Sequence, residues 1–130
     1  MIMLDTCILL FDSLTPERLS KAAIDILNKE ENANQLFCSD ISLWEIAMLD
    51  QKKRIHLPMD YLVFIENLLN ARNIEVLPIT PKIAHLSVSL PLEQADPADR
   101  IIAATTLYHH AQLVTADRKL LNNSEVPTIF

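Results

Sequence analysis

Short apolar runs alternate with longer helical stretches along this sequence, and no other feature restricts its fold as tightly. Residues 1–5 read as a strand, followed by a helix from about Pro16 to Asn28 with Leu19, Ala22, Ala23, Ile26 and Leu27 at helical spacing. Thr15 before Pro16 is a good start signal for it. Residues 36–39 form a second short strand, and Asp40 to Lys53 a helix that ends in a basic cluster. Pro58 opens a third helix, roughly Met59 to Arg72, so widely apolar between Tyr61 and Leu69 that burial on two sides is expected. A strand near Ile74–Leu77 follows, then helices at Pro81–Ser89 and Pro97–His110 and a strand at Leu113–Thr115. A short helical turn after Asp117 and a terminal strand at Val126–Ile129 complete the pattern. Strands alternating with helices imply an α/β fold, a three-layer α/β/α sandwich around a mainly parallel central sheet. With 130 residues, half of them hydrophobic, residues 1–130 are expected to form a single domain.

The chain contains no glycine. Phosphate-binding Walker loops, dinucleotide fingerprints and nucleophile elbows depend on it, so all three are excluded as normally written. Turns that need positive φ must instead use Asn or Asp, and Asn32, Asn34, Asn73, Asn122 and Asn123 lie where turns fall. The formal charge of −6 argues against a broadly basic nucleic-acid surface. Cys7 and Cys38 have no metal-ligand spacing and read as buried free thiols. The apolar start Met1–Leu4 has no preceding basic segment and is interrupted by Asp5, so a cytoplasmic protein with no membrane span is expected.

Four acids, Asp5, Glu45, Asp99 and Asp117, stand at the ends of apolar runs or in first helical turns. In a parallel sheet the ligand crevice lies beyond the carboxyl ends of the strands, and βα helices start at that same edge. Each acid also has a structural reading. Ser42 to Glu45 has capping-box spacing, Asp99 stands in the first turn after Asp96 and Pro97, Asp117 can cap a helical turn, and Asp5 can end a strand. Capping explains single positions but not four acids at one sheet edge. Carboxylates gathered within about 5 Å either raise one another's pKa or bind a cation. A set without His or Cys favours a hard ion, Mg²⁺ or alternatively Mn²⁺, over zinc. Such an ion can activate water against a phosphodiester.

The segments Leu4-Asp5-Thr6, Ser42-Leu43-Trp44-Glu45-Ile46-Ala47, Asp96-Pro97-Ala98-Asp99-Arg100-Ile101-Ile102-Ala103-Ala104 and Val114-Thr115-Ala116-Asp117-Arg118 resemble the successive motifs of PIN-domain proteins, above all VapC-type toxins of toxin–antitoxin systems. The resemblance spans nearly the whole chain. It implies a PIN-like fold and a Mg²⁺-dependent endoribonuclease that cuts RNA with metal-activated water. It makes Asp5, Glu45, Asp99 and Asp117 the catalytic, metal-binding quartet, with Asp5 and Asp99 direct ligands of a first ion. Thr6 and Thr115 become hydroxyls that orient carboxylates or water. Asp96 matches a recurrent acidic position and is ranked first as a cap. A cognate antitoxin protein and a homodimer are the partners it implies.

Lys52, Lys53, Arg54 and His56 form the densest basic stretch, suited equally to a phosphate backbone and to a solvated helix end. Structural ion pairing is expected of Arg100, while Arg118 is left open between neutralising the acids and touching phosphate. His85, His109 and His110 read as surface or partly buried, and Trp44 as core or interface. Two competing functions remain. An aspartate-based phosphatase normally places a second aspartate two residues after the nucleophile, where this chain has Cys7. A catalytically silent PIN-like binding module would keep the fold and sequester a partner.

Overall fold

A computed structural model describes residues 1–92 and 95–130. Its strands are β1 (Ile2–Leu4), β2 (Leu36–Ser39), β3 (Glu75–Leu77), β4 (Gln112–Val114) and β5 (Thr128–Ile129). The helices are α1 (Thr6–Leu14), α2 (Lys21–Glu30), α3 (Asp40–Gln51), α4 (Tyr61–Ala71), α5 (Pro81–Ser89), α6 (Pro97–Tyr108) and α7 (Arg118–Leu121). The strands form one sheet in the order β3-β2-β1-β4-β5. Every pairing in it is parallel.

Side-chain alternation along the central strands assigns residues to two faces. Ile2, Leu4, Leu36, Cys38 and Val114 turn to one cluster, closed by Ile8 and Leu9 of α1, Leu27 of α2 and Phe64 and Leu68 of α4. Met3, Phe37 and Leu113 turn to the other, closed by Ile83 of α5, Ile102 of α6 and Leu120 of α7. The three-layer sandwich expected from the sequence is the architecture observed. From β1 the chain winds out to β2 and β3, then crosses back to β4 on the opposite side of β1. This reversal opens a crevice beyond the carboxyl ends of β1 and β4, the usual ligand position of such sheets.

Several element boundaries differ from the sequence reading. Residues 6–14, left unassigned there, are α1, and Asp5 caps it by accepting from Thr6 N at 2.8 Å. Pro16–Arg18 is a 3₁₀ turn, and α2 starts only after Ser20, whose Oγ accepts from Ala23 N. Helix α4 likewise starts after Asp60 rather than at Pro58. It is not buried on two sides: Leu62 and Val63 are 73% and 49% exposed, leaving Phe64, Ile65 and Leu68 as the packed stripe.

The missing glycines are replaced at helix ends. Asn34, Lys53, Asn73 and His110 adopt left-handed φ of 53–56°. In each case the next residue's N–H reaches back five positions to a helical carbonyl: Gln35 to Glu30, Arg54 to Leu49, Ile74 to Leu69 and Ala111 to Thr106. That is the Schellman closure, normally made by glycine. Two of the asparagines named from sequence serve in it, but Lys53 and His110 had not been anticipated.

Candidate active site

Asp5 leaves the end of β1 beside β4, its backbone N–H donating to Val114 O at 3.0 Å. The side chain is only 4% exposed. Oδ1 serves the α1 cap, while Oδ2 accepts from Thr115 Oγ1 at 2.6 Å and lies 3.6 Å from Cys7 Sγ. Burial raises the Asp5 pKa against the opposing pull of these hydrogen bonds. Thr115, fully buried, also accepts from Asp117 N at 3.0 Å, so one hydroxyl positions an acid on each side of it.

Glu45 lies in the second turn of α3, because that helix is capped by Ser39 through Ile41 N rather than by Ser42. The capping-box reading of Ser42–Glu45 is therefore overturned. Ser42 is instead buried in the site, its Oγ 2.8 Å from Thr6 Oγ1, and Thr6 Oγ1 donates to Glu45 Oε1. With the Thr6 proton committed to Glu45, Ser42 donates to Thr6. Burial raises the Glu45 pKa, as do the charges of Asp5 and Asp96.

Asp96 is the N-cap of α6, accepting from Asp99 N at 2.9 Å, with Pro97 in the first turn. This places Asp99 in the first turn, beside the other acids. Its pKa is pushed up to about 8, first by burial and then by the charges of Asp5, Asp96, Asp117 and Glu45. Asp117 caps α7 by accepting from Lys119 N at 2.9 Å. The structure thus brings all four predicted acids, with Asp96 and Thr6, to the wall of one cleft of about 390 Å³. Thr115 stands behind Asp5 rather than on that wall.

Leu10, Phe11 and Leu49 are the larger apolar side chains lining the same cleft. Arg18 also lines the cleft, its guanidinium 4.2 Å from the centroid of the Phe11 ring. Sequence reasoning missed Phe11 because α1 itself went unrecognised, and Arg18 because the 3₁₀ turn that packs it against Phe11 was read as the start of a helix. Cys7 lines the cleft too, its thiol pushed up to about 12 by burial and by Asp5, and is therefore neutral.

Arg100 does not pair with the acids. Its guanidinium donates to the carbonyls of Ser87, Leu90 and Leu92 at 3.1, 2.9 and 2.8 Å, tying the end of α5 to α6. Trp44 is not core: it is 59% exposed and, with Ile41, Met48, Pro97 and Ala98, lines a second, apolar cleft shared with Glu45 and Asp96.

A family description of the PIN domain matches residues 2–125. The chain belongs to the PIN domain family. This PIN domain is 38% identical over 120 residues to Ribonuclease VapC22 of Mycobacterium tuberculosis (strain ATCC 25618 / H37Rv), covering 92% of this chain and 88% of that protein. The fold is shared with VapBC2 from Rickettsia felis, solved bound to a DNA fragment from their promoter, at a TM-score of 0.74 and 20% identity over 99% of this chain and 98% of that one. A toxin–antitoxin complex from Klebsiella pneumoniae superposes with a TM-score of 0.65 and 22% identity over 100% and 97% of the two chains.

The donor set of this PIN domain suits a hard cation by its chemistry. Every candidate ligand is a carboxylate oxygen, and the strain of ionising Asp99 beside four other acids is what a divalent ion relieves. The fit is not one of preformed geometry. Among the described residues, no three acidic, histidine or cysteine side chains are arranged to hold an ion as they stand.

Proposed function

We propose that residues 1–130 act as one Mg²⁺-dependent endoribonuclease domain, the toxin of a toxin–antitoxin pair. The observation that carries this reading is the convergence of Asp5, Glu45, Asp99 and Asp117 on one cleft at the carboxyl ends of β1 and β4, in a chain related to a ribonuclease over most of its length. Asp5 and Asp99 are the direct ligands, with Glu45 and Asp117 completing the acidic set. Mn²⁺, equally partial to oxygen, is expected to substitute.

The bound ion supplies Lewis acidity, activating water and neutralising charge that builds on the phosphodiester. The chain's own contribution is to hold the ligands. Thr115 orients Asp5, and the Ser42–Thr6 pair orients Glu45, which leaves Asp99 and Asp117 to close on the ion. Leu10, Phe11 and Leu49 keep part of the cleft lining apolar, which strengthens electrostatic interactions within it.

The antitoxin partner is supported by the shared fold with chains from toxin–antitoxin complexes, and the apolar cleft around Trp44 offers it surface next to the acids. Self-association as a homodimer belongs to the same reading. No helix among the described residues is long and apolar enough to cross a membrane, and a cytoplasmic site of action accords with an RNA substrate. Purified protein, free of antitoxin, is expected to cleave cellular RNA with Mg²⁺ or Mn²⁺ and to stop in EDTA. Cleavage that persists in Asp5→Ala and Asp99→Ala proteins would exclude this mechanism. A folded wild type that cleaves no RNA points to the silent binding module.

A further inference from the structure

Arg18 is exposed, and among the described residues its guanidinium makes no ion pair or hydrogen bond although it lines a cleft with five acids. Instead the guanidinium carbon lies 4.2 Å from the centroid of the Phe11 ring. Stacking suits a weakly hydrated guanidinium and leaves its in-plane N–H donors available. Leu10, Phe11 and Arg18 are common to the acid cleft and to an adjoining groove of about 570 Å³ that reaches Ile55 and His56. In sequence, the groove's far wall continues directly from the exposed basic turn Lys52–Arg54. Arg18 is also the only cation on the wall of the acid cleft among the described residues.

We infer that Arg18 is a substrate-positioning residue. Held over the face of Phe11, it takes a backbone phosphate of single-stranded RNA next to the one at the acids and directs the strand into the Ile55–His56 groove. This rests on the ribonuclease reading and adds to it the course of the strand. A planar fork of donors matches two phosphate oxygens, which a carboxylate-lined cleft cannot bind without a metal. The juxtaposition also gives the strand a course through the site: acids at one end, a fixed cation in the middle, a basic turn beyond.

The test is fluorescence anisotropy with a labelled 2′-O-methyl oligouridylate of about 12 nucleotides, long enough to span a typical single-strand site. Binding in Ca²⁺ buffer is measured between about 50 and 200 mM salt for wild type, Arg18→Ala, Arg18→Lys and Phe11→Leu. Arg18→Ala is expected to weaken binding about tenfold and to lower the salt slope by about one. Arg18→Lys should keep the slope but not the full affinity, and Phe11→Leu should fall between wild type and Arg18→Ala. Unchanged melting temperatures for the Arg18 variants establish that folding is intact. Wild-type and Arg18→Ala proteins that bind with equal affinity and slope would overturn the inference alone. Wild type that neither binds this probe nor cleaves RNA would overturn the ribonuclease reading with it. An Arg18→Ala protein that binds RNA normally but loses an acidic antitoxin partner would assign the residue to protein recognition instead.

Discussion

Thr115 Oγ1 donates to Asp5 Oδ2 at 2.6 Å across 110 residues of sequence, fastening the end of β4 to the acid at the end of β1. Both residues are buried, so the bond has no water to replace it. Thr115→Val keeps the shape and removes the donor. It is expected to weaken the apparent Mg²⁺ affinity of cleavage by about 10–100-fold, the usual effect of losing a group that orients a metal ligand. The stability cost of leaving a buried acceptor unsatisfied is about 1–3 kcal/mol. Thr115→Ser should restore most of both, which a metal titration of the cleavage rate and a denaturant melt can check.

Asp99→Asn separates stability from activity. The acid is destabilised by its neighbours, so removing its charge is expected to raise the melting temperature in EDTA. Cleavage in Mg²⁺ should fall by at least about a hundredfold because a ligand is lost. A melting temperature that drops in EDTA would mean the side chain is held by interactions other than mutual repulsion.

The same repulsion gives a signed pH dependence. Asp99 titrates at about 8 when folded against 3.8 as its reference, so the folded state holds the proton more tightly throughout that window. Stability of the metal-free protein should therefore fall as pH rises from about 5 to 8, since the unfolded chain then binds fewer protons than the folded one. Asp5 and Glu45, also raised, act in the same direction. Thermal melts in EDTA across that range should slope downward, and the slope should shrink in Asp99→Asn and with added Mg²⁺.

Arg100 is expected to be structural. Arg100→Ala leaves three carbonyls at and beyond the end of α5 without the guanidinium and should cost about 2–3 kcal/mol. Arg100→Lys should recover little, because a single ammonium cannot span the three acceptors as a planar fork does. Residual cleavage per folded molecule should be near wild type; a large loss in fully folded Arg100→Lys protein would assign it a direct role.

Helix ends without glycine carry strain that substitution can release. His110 is exposed at φ 53°, where a side chain with Cβ costs about 1 kcal/mol relative to glycine. His110→Gly is expected to stabilise the fold by about 0.5–1 kcal/mol with cleavage unchanged, as read by chemical denaturation.

The order of strands and helices, the N-cap at Asp96 and the four acids of the candidate cleft were all legible in the sequence, because each depends on local pattern or local capping chemistry. Helix α1 was not. Its continuous apolar run from Cys7 to Phe11 has no single face, so periodicity gives no signal, and with it went Phe11, the ring on which Arg18 packs. The role of Ser42 was misread for a related reason: capping-box spacing is a local rule, while the true start of α3 is set where β2 ends.

Sequence alone determined which residues have carboxylates to offer and that they follow strands in an α/β chain. Tertiary structure decided everything that needs two distant segments at one place. Parallel pairing of β1 with β4 puts Asp5 beside Thr115, and α3 brings Ser42 and Glu45 to Thr6. It also turned Arg100 away from the acids and Arg18 towards them. The physical reason is that hydrogen bonding and desolvation act over a few ångströms in space, whatever the separation along the chain, so burial and partners exist only after the sheet has formed.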